Sequence, residues 1–509
     1  MILDIHTHLP PAAQWPLFLE HCRDCGITLA VVSSLGSWAR YPDADDIRRA
    51  NDEARCMAET AQGMVLWFAY INPQNDNALT ELDRALADGA CGVKLWVSLK
   101  DPATGSLARV LPILAEAERR RVPVLIHTYQ RTDANLEGEV TVAEFADLAR
   151  QFPTLTMIAA HSGGNWRQCL GLLRDLPNTV VDICGGYPET GMVEALVADL
   201  GVERVLYGSD ALGRSFVSQV AKVTLSSLST ADQERILWEN SARLLKLTPG
   251  QVSAAQMTAA GLPATPRLAL PAFAEDHFCF AGSWPFRPSP APTPADLDCA
   301  LAAVGIARAY VADAGSVYAL DVLAANRAFL AAASGRPRLA PLAAMVPYAP
   351  NWRAVLEESR GRAVGGVVYP YLHNWRLDDP RWRPFFEACA AAGFPLWINT
   401  AISDGRFRHR GVVWRDVSTD ELLAWMQAAP ANDYVVQGAG FGQIKAALER
   451  CPQARRVRFE ISKLTDTSTV LPALVRQHGW DRLVLGSEFP FRDLRQVRQA
   501  AGVLCGAVV

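Results

Sequence analysis

The first half of the chain alternates short apolar runs with longer amphipathic stretches, and this alternation restricts the fold more than any other feature. Each run is bounded by Gly, Pro or polar residues, and the stretches between runs carry apolar residues at intervals of three and four, the period of an α-helix. The runs read as buried strands, and there are eight of them, at residues 2–5, 29–32, 65–70, 92–95, 122–126, 156–160, 179–183 and 204–207.

Eight buried parallel strands joined by helices within about 250 residues predict an α/β fold of the (β/α)8 TIM-barrel type. A doubly wound open sheet is the alternative, but the G-x-G-x-x-G phosphate loop expected after its first strand is absent. The chain has 509 residues, which is long for one hydrophobic core and suits two domains.

Polar residues stand where several of these strands end. The first run leads into His6 and His8, which share one face of a strand because side chains alternate. A lone His-x-His is more often a packed pair than a metal site. The barrel fold, however, gathers all C-terminal strand ends at one mouth, so the full set predicts a metal centre. That set is His6, His8, Lys94, His127, His161 and Asp210.

This set resembles the amidohydrolase superfamily. The segments Gly92-Val93-Lys94-Leu95, Ala160-His161-Ser162-Gly163-Gly164 and Tyr207-Gly208-Ser209-Asp210 are similar to its amidohydrolase-related (amidohydrolase 2) branch, which holds hydrolases, lactonases and decarboxylases. The resemblance covers residues 1 to about 248.

The chemistry of the set is that of a metal-dependent hydrolase. His6, His8, His127 and Asp210 would bind a divalent ion, most plausibly Zn2+, and leave a position open for water. The ion would lower the pKa of that water and supply hydroxide, and Asp210 would take the proton to the leaving group. His161 would bind a second metal or hydrogen-bond the developing oxyanion.

Lys94 bears on the number of ions. The resemblance implies that a lysine on the fourth strand is carboxylated in members with two metals, where it bridges the ions. A free ammonium would instead attract a substrate carboxylate or repel a second metal, and a packed lysine is the plain alternative. The pattern around Lys94 also resembles that of members with one metal, so one ion is favoured over two.

Substrate contacts are expected from the loops beyond the same strand ends. An arginine there would clamp a carboxylate and the aromatic residues would stack on a ring. The candidates are Trp96, Tyr129, Arg131, Asn165, Trp166 and Arg214.

Composition limits the partners to small molecules. The net charge is −4 and the pI near 6.2, which gives no electrostatic case for nucleic acid or an anionic membrane. The sequence contains no run of about 18 apolar residues that would predict a membrane span, and its N-terminus lacks the pattern of a signal peptide. The scattered cysteines suit a reducing compartment. A cytoplasmic location is therefore expected.

The second half repeats the first at an offset near 275. Asn51 recurs as Asn326, Gly92-Val93 as Gly366-Val367, and residues 201–210 as 479–488. We interpret this as a tandem duplication of the barrel, with domains at 1–248 and 277–509 and an Ala/Pro-rich linker at 249–276.

The second copy lacks the metal set. Our alignment places Ala281 opposite His6, Ser283 opposite His8, Val368 opposite Lys94, Asn399 opposite His127, Gly438 opposite His161 and Glu488 opposite Asp210. We expect this copy to be degenerate and non-catalytic and to form an intrachain pseudo-dimer with the first barrel. A loop of the second copy, residues 284–288 or 405–411, is expected to contribute to the active site of the first. Association of whole chains into a homo-oligomer is also compatible with this organisation.

The predicted function is metal-dependent hydrolysis of an amide, ester or lactone bond in a small carboxylated or aromatic substrate. The first alternative is a non-oxidative decarboxylase with the same ligands. The second is a non-catalytic binding protein built from two barrels.

Overall fold

The structure is a computed structural model, and it describes residues 1–132, 134–211, 213–261, 274–286, 289–402, 405–409, 411–467 and 469–504. Within these residues, 1–186 and 191–261 form one compact unit, and 187–190 with 274–504 form the other. The middle of the predicted linker, residues 262–273, lies outside the described residues, as do Arg287 and Pro288 of one predicted loop and Arg410 of the other.

Seventeen strands are present in the described residues, and every paired strand is parallel to its neighbour. They are β1 Leu3–His8, β2 Leu29–Ser33, β3 Val65–Trp67, β4 Ala69–Tyr70, β5 Val93–Leu95, β6 Val124–Ile126, β7 Met157–Ala159, β8 Thr179–Asp182, β9 Val205–Leu206, β10 Glu275–Ala281, β11 Arg308–Asp313, β12 Leu339–Ala344, β13 Gly365–Val368, β14 Leu396–Asn399, β15 Tyr434–Gln437, β16 Val457–Glu460 and β17 Leu483–Val484.

Helices connect the strands, and several begin at a residue whose side chain caps the free backbone N–H groups. Thr141 and Glu144, for example, form a capping box at the start of α5. The helices are α1 Trp15–Asp24, α2 Ala44–Thr60, α3 Ala78–Ala87, α4 Leu111–Arg120, α5 Val142–Gln151, α6 Trp166–Cys169, α7 Met192–Leu200, α8 Phe216–Thr224, α9 Thr230–Glu234, α10 Asn240–Leu244, α11 Pro249–Gly261, α12 Pro294–Ala303, α13 Val322–Ala333, α14 Trp352–Ser359, α15 Arg383–Ala391, α16 Thr419–Ala428, α17 Phe441–Arg450, α18 Val470–His478 and α19 Gln496–Leu504.

The eight strands predicted for the first unit are all found, and the third is interrupted at Phe68. The interruption leaves a three-stranded sheet, β1-β2-β3, and a six-stranded sheet, β4 to β9, both in chain order. Ile5 N donates to Tyr207 O at 3.1 Å and His8 N donates to Ala211 O at 2.6 Å, so the first strand also contacts the chain beyond the last. Alternate residues of the strands form one buried apolar cluster, which includes Leu3, Ile5, Leu29, Val31, Leu125, Ile158 and Leu206.

The second unit contains a single eight-stranded sheet, β10 to β17 in chain order. His277 N donates to Leu485 O at 2.8 Å and Glu488 N donates to Phe278 O at 3.0 Å, which brings its first and last strands together. The predicted α/β class and a nearly closed eight-stranded parallel barrel are thus confirmed. That the chain holds two such barrels stays a proposal.

The two halves share specific hydrogen bonds. Asn51 exchanges a pair of bonds with the backbone of Tyr70 at 2.8 and 3.0 Å, and Asn326 does the same with Ala344 at 2.9 Å. Asp4 Oδ1 accepts from the N–H groups of His6 and Ser209, and Asp276 Oδ1 accepts from those of Phe278 and Ser487. These bonds show which residues of the two halves are equivalent, without the use of sequence similarity.

None of the helices in the part of the chain that the structure describes is long and apolar enough to cross a membrane. The cysteines among the same residues are all free thiols. The cytoplasmic location stays a prediction.

Candidate metal centre

His6 and His8 lie at the C-terminal end of β1, almost fully buried, with ring centroids 5.2 Å apart. His6 Nδ1 is 2.9 Å from Asp182 Oδ2, and His8 Nδ1 is 3.3 Å from Ser33 Oγ. These contacts engage one nitrogen of each ring. The Nε2 atoms are left for other groups, which is the arrangement that metal-binding imidazoles need.

Asp210 completes a cluster with these two histidines. Its Oδ1 lies 3.2 Å from His8 Nε2, and its backbone N–H donates to His6 O at 2.8 Å. Potential ligand atoms of His6, His8 and Asp210 all lie within 4.8 Å of one another. Two imidazole nitrogens and a carboxylate oxygen at this spacing fit a divalent ion such as zinc.

The electrostatics of the cluster favour its metal-binding protonation states. Burial, followed by the charge of Lys94, lowers the pKa of His6 to about 4, so its ring is neutral. Burial alone would raise the pKa of Asp210, but the hydrogen bond with His8 and the nearby imidazoles hold it well below its usual range. Neutral imidazole and ionised carboxylate are the forms that bind a metal.

His127 and His161 follow β6 and β7 and contact each other. His161 Nε2 is 3.1 Å from His127 Nδ1, and the ring centroids are 4.9 Å apart. Burial lowers the pKa of both rings. Neither of the two groups of side chains with metal-binding spacing in the described residues includes His127, whereas His161 belongs to one of them.

Glu139 fixes the orientation of His127. Its Oε1 is 3.1 Å from His127 Nε2, and Arg131 donates to both of its carboxylate oxygens at 3.1 Å. The hydrogen bonds of these two residues lower the pKa of Glu139 to about 2, although burial acts in the opposite direction. An ionised carboxylate accepts, so His127 Nε2 carries the proton and its Nδ1 faces His161 with a free lone pair.

Lys94 is fully buried on β5, with Nζ 2.7 Å from His6 Nε2. Burial lowers its pKa to about 8, and the charge of Asp210 opposes the shift. The Lys94 ammonium therefore lies beside the His6 ring, next to the cluster. A Lys94 head group at this distance competes with any ion for the lone pair of His6 Nε2.

Asp182 and Cys184 belong to the site and were missed by the sequence analysis. Besides binding His6, Asp182 accepts from the N–H groups of His161 and Cys184 through Oδ1, at 2.9 and 3.1 Å. Cys184 Sγ is 3.1 Å from His6 Nδ1 and 3.0 Å from His161 Nδ1. These four residues form the second group with metal-binding spacing.

The predicted substrate residues are spread over different environments. Tyr129 is buried and stacks on His127 with ring centroids 5.9 Å apart, whereas Arg131 is held by Glu139. Arg214 donates to Gly185 O at 3.1 Å, and Trp166 lies under the Arg167 guanidinium at 4.1 Å. Asn165 immediately precedes α6.

Two tryptophans lie beside the histidines. Trp38 contacts His8 edge to face, with ring centroids 5.5 Å apart, and contacts the predicted residue Trp96 at 5.6 Å. Trp38 is 54% exposed and has a φ of 61°, a left-handed conformation that is rare for a bulky residue. Sequence reasoning did not identify it.

The second unit carries no histidine at the equivalent places, and the structure corrects part of the predicted alignment. Glu488 N donates to Phe278 O as Asp210 N donates to His6 O, and Phe280 N donates to Phe489 O as His8 N donates to Ala211 O. Phe278 and Phe280 therefore replace His6 and His8. The predicted match to Ala281 and Ser283 was wrong by three residues, because the run of residues 278–281 that follows His277 is apolar throughout and offers no polar landmark.

The match to Lys94 was wrong by one residue. Ile71 N donates to Lys94 O at 3.1 Å, and Met345 N donates to Val367 O at 2.9 Å, so Val367 rather than Val368 is the equivalent. Asn399 and Gly438 keep their places opposite His127 and His161. The same register places Glu460 opposite Asp182 and Ser462 opposite Cys184.

An α/β fold with parallel strands and a histidine and carboxylate cluster at strand ends defines a metal-dependent enzyme class. The model of the amidohydrolase family (Amidohydro_2) matches residues 4–247 and 267–506. The chain belongs to this family, whose members use a divalent metal, as the resemblance in the sequence implied.

Similar solved structures align with about half of the chain. They include 2,6-dihydroxybenzoate decarboxylase from Rhizobium (18% identity, 48% of this chain and 98% of that chain, TM-score 0.39). A dihydroxybenzoic acid decarboxylase from Polaromonas sp. JS666 with bound manganese has 17% identity, 49% and 98% coverage and a TM-score of 0.40. A 4-oxalomesaconate hydratase from Rhodopseudomonas palustris has 17% identity, 52% and 99% coverage and a TM-score of 0.36. No curated protein matches the chain.

Proposed function

We propose that residues 1–248 form a metal-dependent hydrolase that cleaves an amide, ester or lactone bond in a small carboxylated or aromatic substrate. The observation that carries the proposal is the cluster of His6, His8 and Asp210, whose potential ligand atoms lie within 4.8 Å of one another. Asp182 supports it, because its contact with His6 Nδ1 directs the Nε2 lone pair into the cluster.

One ion is proposed, most plausibly Zn2+, held by His6, His8 and Asp210, with His127 as a further ligand. When bound, such an ion polarises a carbonyl and acidifies water. Carboxylated Lys94 as a bridge between two ions is the alternative stoichiometry.

The side chains divide the remaining work. Ionised Asp210 accepts a proton from the attacking water at a carboxylate oxygen and passes it to the leaving group. Neutral His161 hydrogen-bonds the developing oxyanion through Nε2. Protonated Lys94 attracts a substrate carboxylate into the buried site. Trp38 and Trp96 provide an aromatic edge beside His8, which suits a substrate with a ring.

Residues 277–509 are proposed to be a degenerate copy of the first barrel. The paired hydrogen bonds of Asn51 and Asn326, and of Asp4 and Asp276, support a tandem duplication. Phe278 and Phe280 at the histidine positions support a loss of metal binding and of hydrolysis in this copy.

The test is metal analysis followed by a substrate panel. Purified wild-type protein is expected to bind one equivalent of metal, and His6→Ala to lose it. His409→Ala is the matched control, since His409 is an exposed histidine of the second half. A panel of amides, esters and lactones, assayed with added Zn2+ or Mn2+, should yield products that contain oxygen from water.

Two outcomes would contradict the proposal. Release of CO2 without uptake of water would replace hydrolysis by decarboxylation with the same ligands. Equal metal content in the wild type and His6→Ala would remove the metal centre and favour a binding protein.

A further inference from the structure

Four polar side chains form a row inside the barrel of the second unit. Tyr369 follows β13, and Asn399, Gln437 and Glu460 end β14, β15 and β16. Val368 pairs with Ile398, Asn399 with Gln437, and Val436 with Phe459, so the four residues stand side by side on neighbouring strands. We call them the polar row. Each is at most 1% exposed.

The row lies on the inner face of the sheet. Asn399 is two residues from Trp397, and residues two apart on a strand share a face. The Trp397 ring packs against Tyr310 at 4.9 Å and donates from Nε1 to His277 O at 2.7 Å, across the barrel from β14 to β10. The row therefore occupies the C-terminal end of the barrel interior, the region where barrels of this type bind their ligands.

Three polar atoms of the row have no hydrogen-bond partner among the described residues. Asn399 Nδ2 donates to Gln437 Oε1, and this bond leaves Asn399 Oδ1 and Gln437 Nε2 unpaired, together with Tyr369 Oη. More than about 90% of buried polar groups in folded proteins are paired, because an unpaired one destabilises the fold. An acceptor, a donor and a hydroxyl side by side are complementary to a ligand that carries the opposite groups.

The charged groups near the row are paired with one another. Arg492, itself fully buried, donates to Asp466 at 2.7 and 2.8 Å and to Glu488 at 3.0 Å. Glu460 accepts from Ser462 Oγ at 2.8 Å, and burial together with the charge of Glu488 raises its pKa to about 8, so it is uncharged near neutral pH. With Lys463, whose charge interacts with the same groups, two cationic side chains face two carboxylates, and this balance does not favour an anionic ligand.

Backbone strain marks the same end of the barrel. Glu488 has a φ of 55°, and its equivalent Asp210 in the first unit has a φ of 62°. A left-handed glutamate is costly, and such strain persists where the surrounding structure imposes it, frequently at functional sites.

We propose that the second unit binds a small uncharged molecule with adjacent donor and acceptor groups, such as a primary carboxamide, at the polar row. The ligand N–H donates to Asn399 Oδ1, its carbonyl accepts from Gln437 Nε2, and the Tyr369 hydroxyl makes a third hydrogen bond. The site needs no metal and is separate from the cluster around His6.

The experiment uses the full chain and two probes of the same shape, benzamide and benzoate. Saturation-transfer NMR is recorded for the wild type, for the double variant Asn399→Leu/Gln437→Met, and for His6→Ala. We expect benzamide to bind the wild type and His6→Ala equally, to bind the double variant at least tenfold more weakly, and to bind better than benzoate. The His6→Ala arm distinguishes this site from the proposed metal centre.

Thermal unfolding gives an independent readout. Because the double variant replaces two buried amides, each with one unpaired atom, by apolar groups of similar size, its Tm without ligand should rise by about 2 °C or more. Benzamide should raise the Tm of the wild type and not that of the double variant. Absence of benzamide binding to the wild type, equal benzamide binding to the double variant, a loss of benzoate binding in the double variant as large as that of benzamide, or a lower Tm of the double variant would each overturn the proposal.

Discussion

Replacing Asp182 by asparagine tests whether this carboxylate sets the tautomer of a proposed metal ligand. Asp182 Oδ1 accepts from two fixed backbone N–H groups, those of His161 and Cys184. An asparagine must direct its own Oδ1 to these donors, so its Nδ2 would face His6 Nδ1. Two N–H donors cannot face each other. The His6 proton would then move to Nε2, the nitrogen that the proposed ion needs.

The magnitude follows from the bond that is lost. A hydrogen bond to a charged group contributes about 1.5–3 kcal/mol, and removing such a partner of a metal-binding histidine weakens metal affinity about 10- to 100-fold, or about 1.4–2.7 kcal/mol. We expect Asp182→Asn to bind metal more weakly by this factor, as measured by competition with a chelator of known affinity.

Asp4→Asn is the matched control. Asp4 is equally buried and also accepts two backbone N–H groups, from His6 and Ser209, but it touches no imidazole. Burial raises its pKa to about 8, so the side chain is neutral near pH 7 and asparagine is a close substitute. Metal affinity in Asp4→Asn should stay within about twofold of the wild type. Unchanged affinity in Asp182→Asn, or an equal loss in both variants, would refute the reasoning.

Four further predictions concern activity and stability. Glu139→Gln should lower kcat/KM about 10-fold or more, since His127 loses its fixed tautomer, while Glu137→Gln, on the exposed part of the same loop, should not. Trp38→Ala should raise KM for ring-containing substrates severalfold and leave aliphatic ones unchanged, as initial rates would show. Chelation should abolish turnover and added Zn2+ restore it. Burial raises the folded-state pKa of Glu460 to about 8, from about 4 in the unfolded chain. The wild type should therefore lose stability relative to Glu460→Gln as the pH rises from about 4 to 8, as denaturant titrations would measure. A constant difference in stability across this pH range would refute the prediction.

The sequence predicted the strands of the first unit because each is a short, fully buried apolar run with clear boundaries. It also placed His6, His8, Lys94, His161 and Asp210 near one another, since all of them follow from one rule about strand ends in barrels. The same rule, applied to the seventh strand, would have found Asp182, which ends β8.

Glu139 and Trp38 were beyond that rule. Both lie in connecting segments, where the backbone path depends on tertiary contacts and not on a local period. The Glu139 carboxylate is held by Arg131, a residue that the sequence suggested for substrate binding. A charged pair within one loop leaves no pattern that distinguishes it from two solvated side chains.

The errors in the second half show which residues carry the fold and which carry the chemistry. Asp4 and Asp276 each join the first strand of a unit to the chain beyond its last strand, through Ser209 and Ser487. These bonds satisfy buried backbone groups, so a copy that lost them would lose the closure of its sheet. The imidazoles do not satisfy buried backbone groups in this way, and Phe278 occupies the position of His6 with an apolar ring. An alignment of the two halves based on these aspartates is therefore correct where the alignment based on the apolar run was wrong. It follows that the second unit can lose the metal-binding residues and keep its fold.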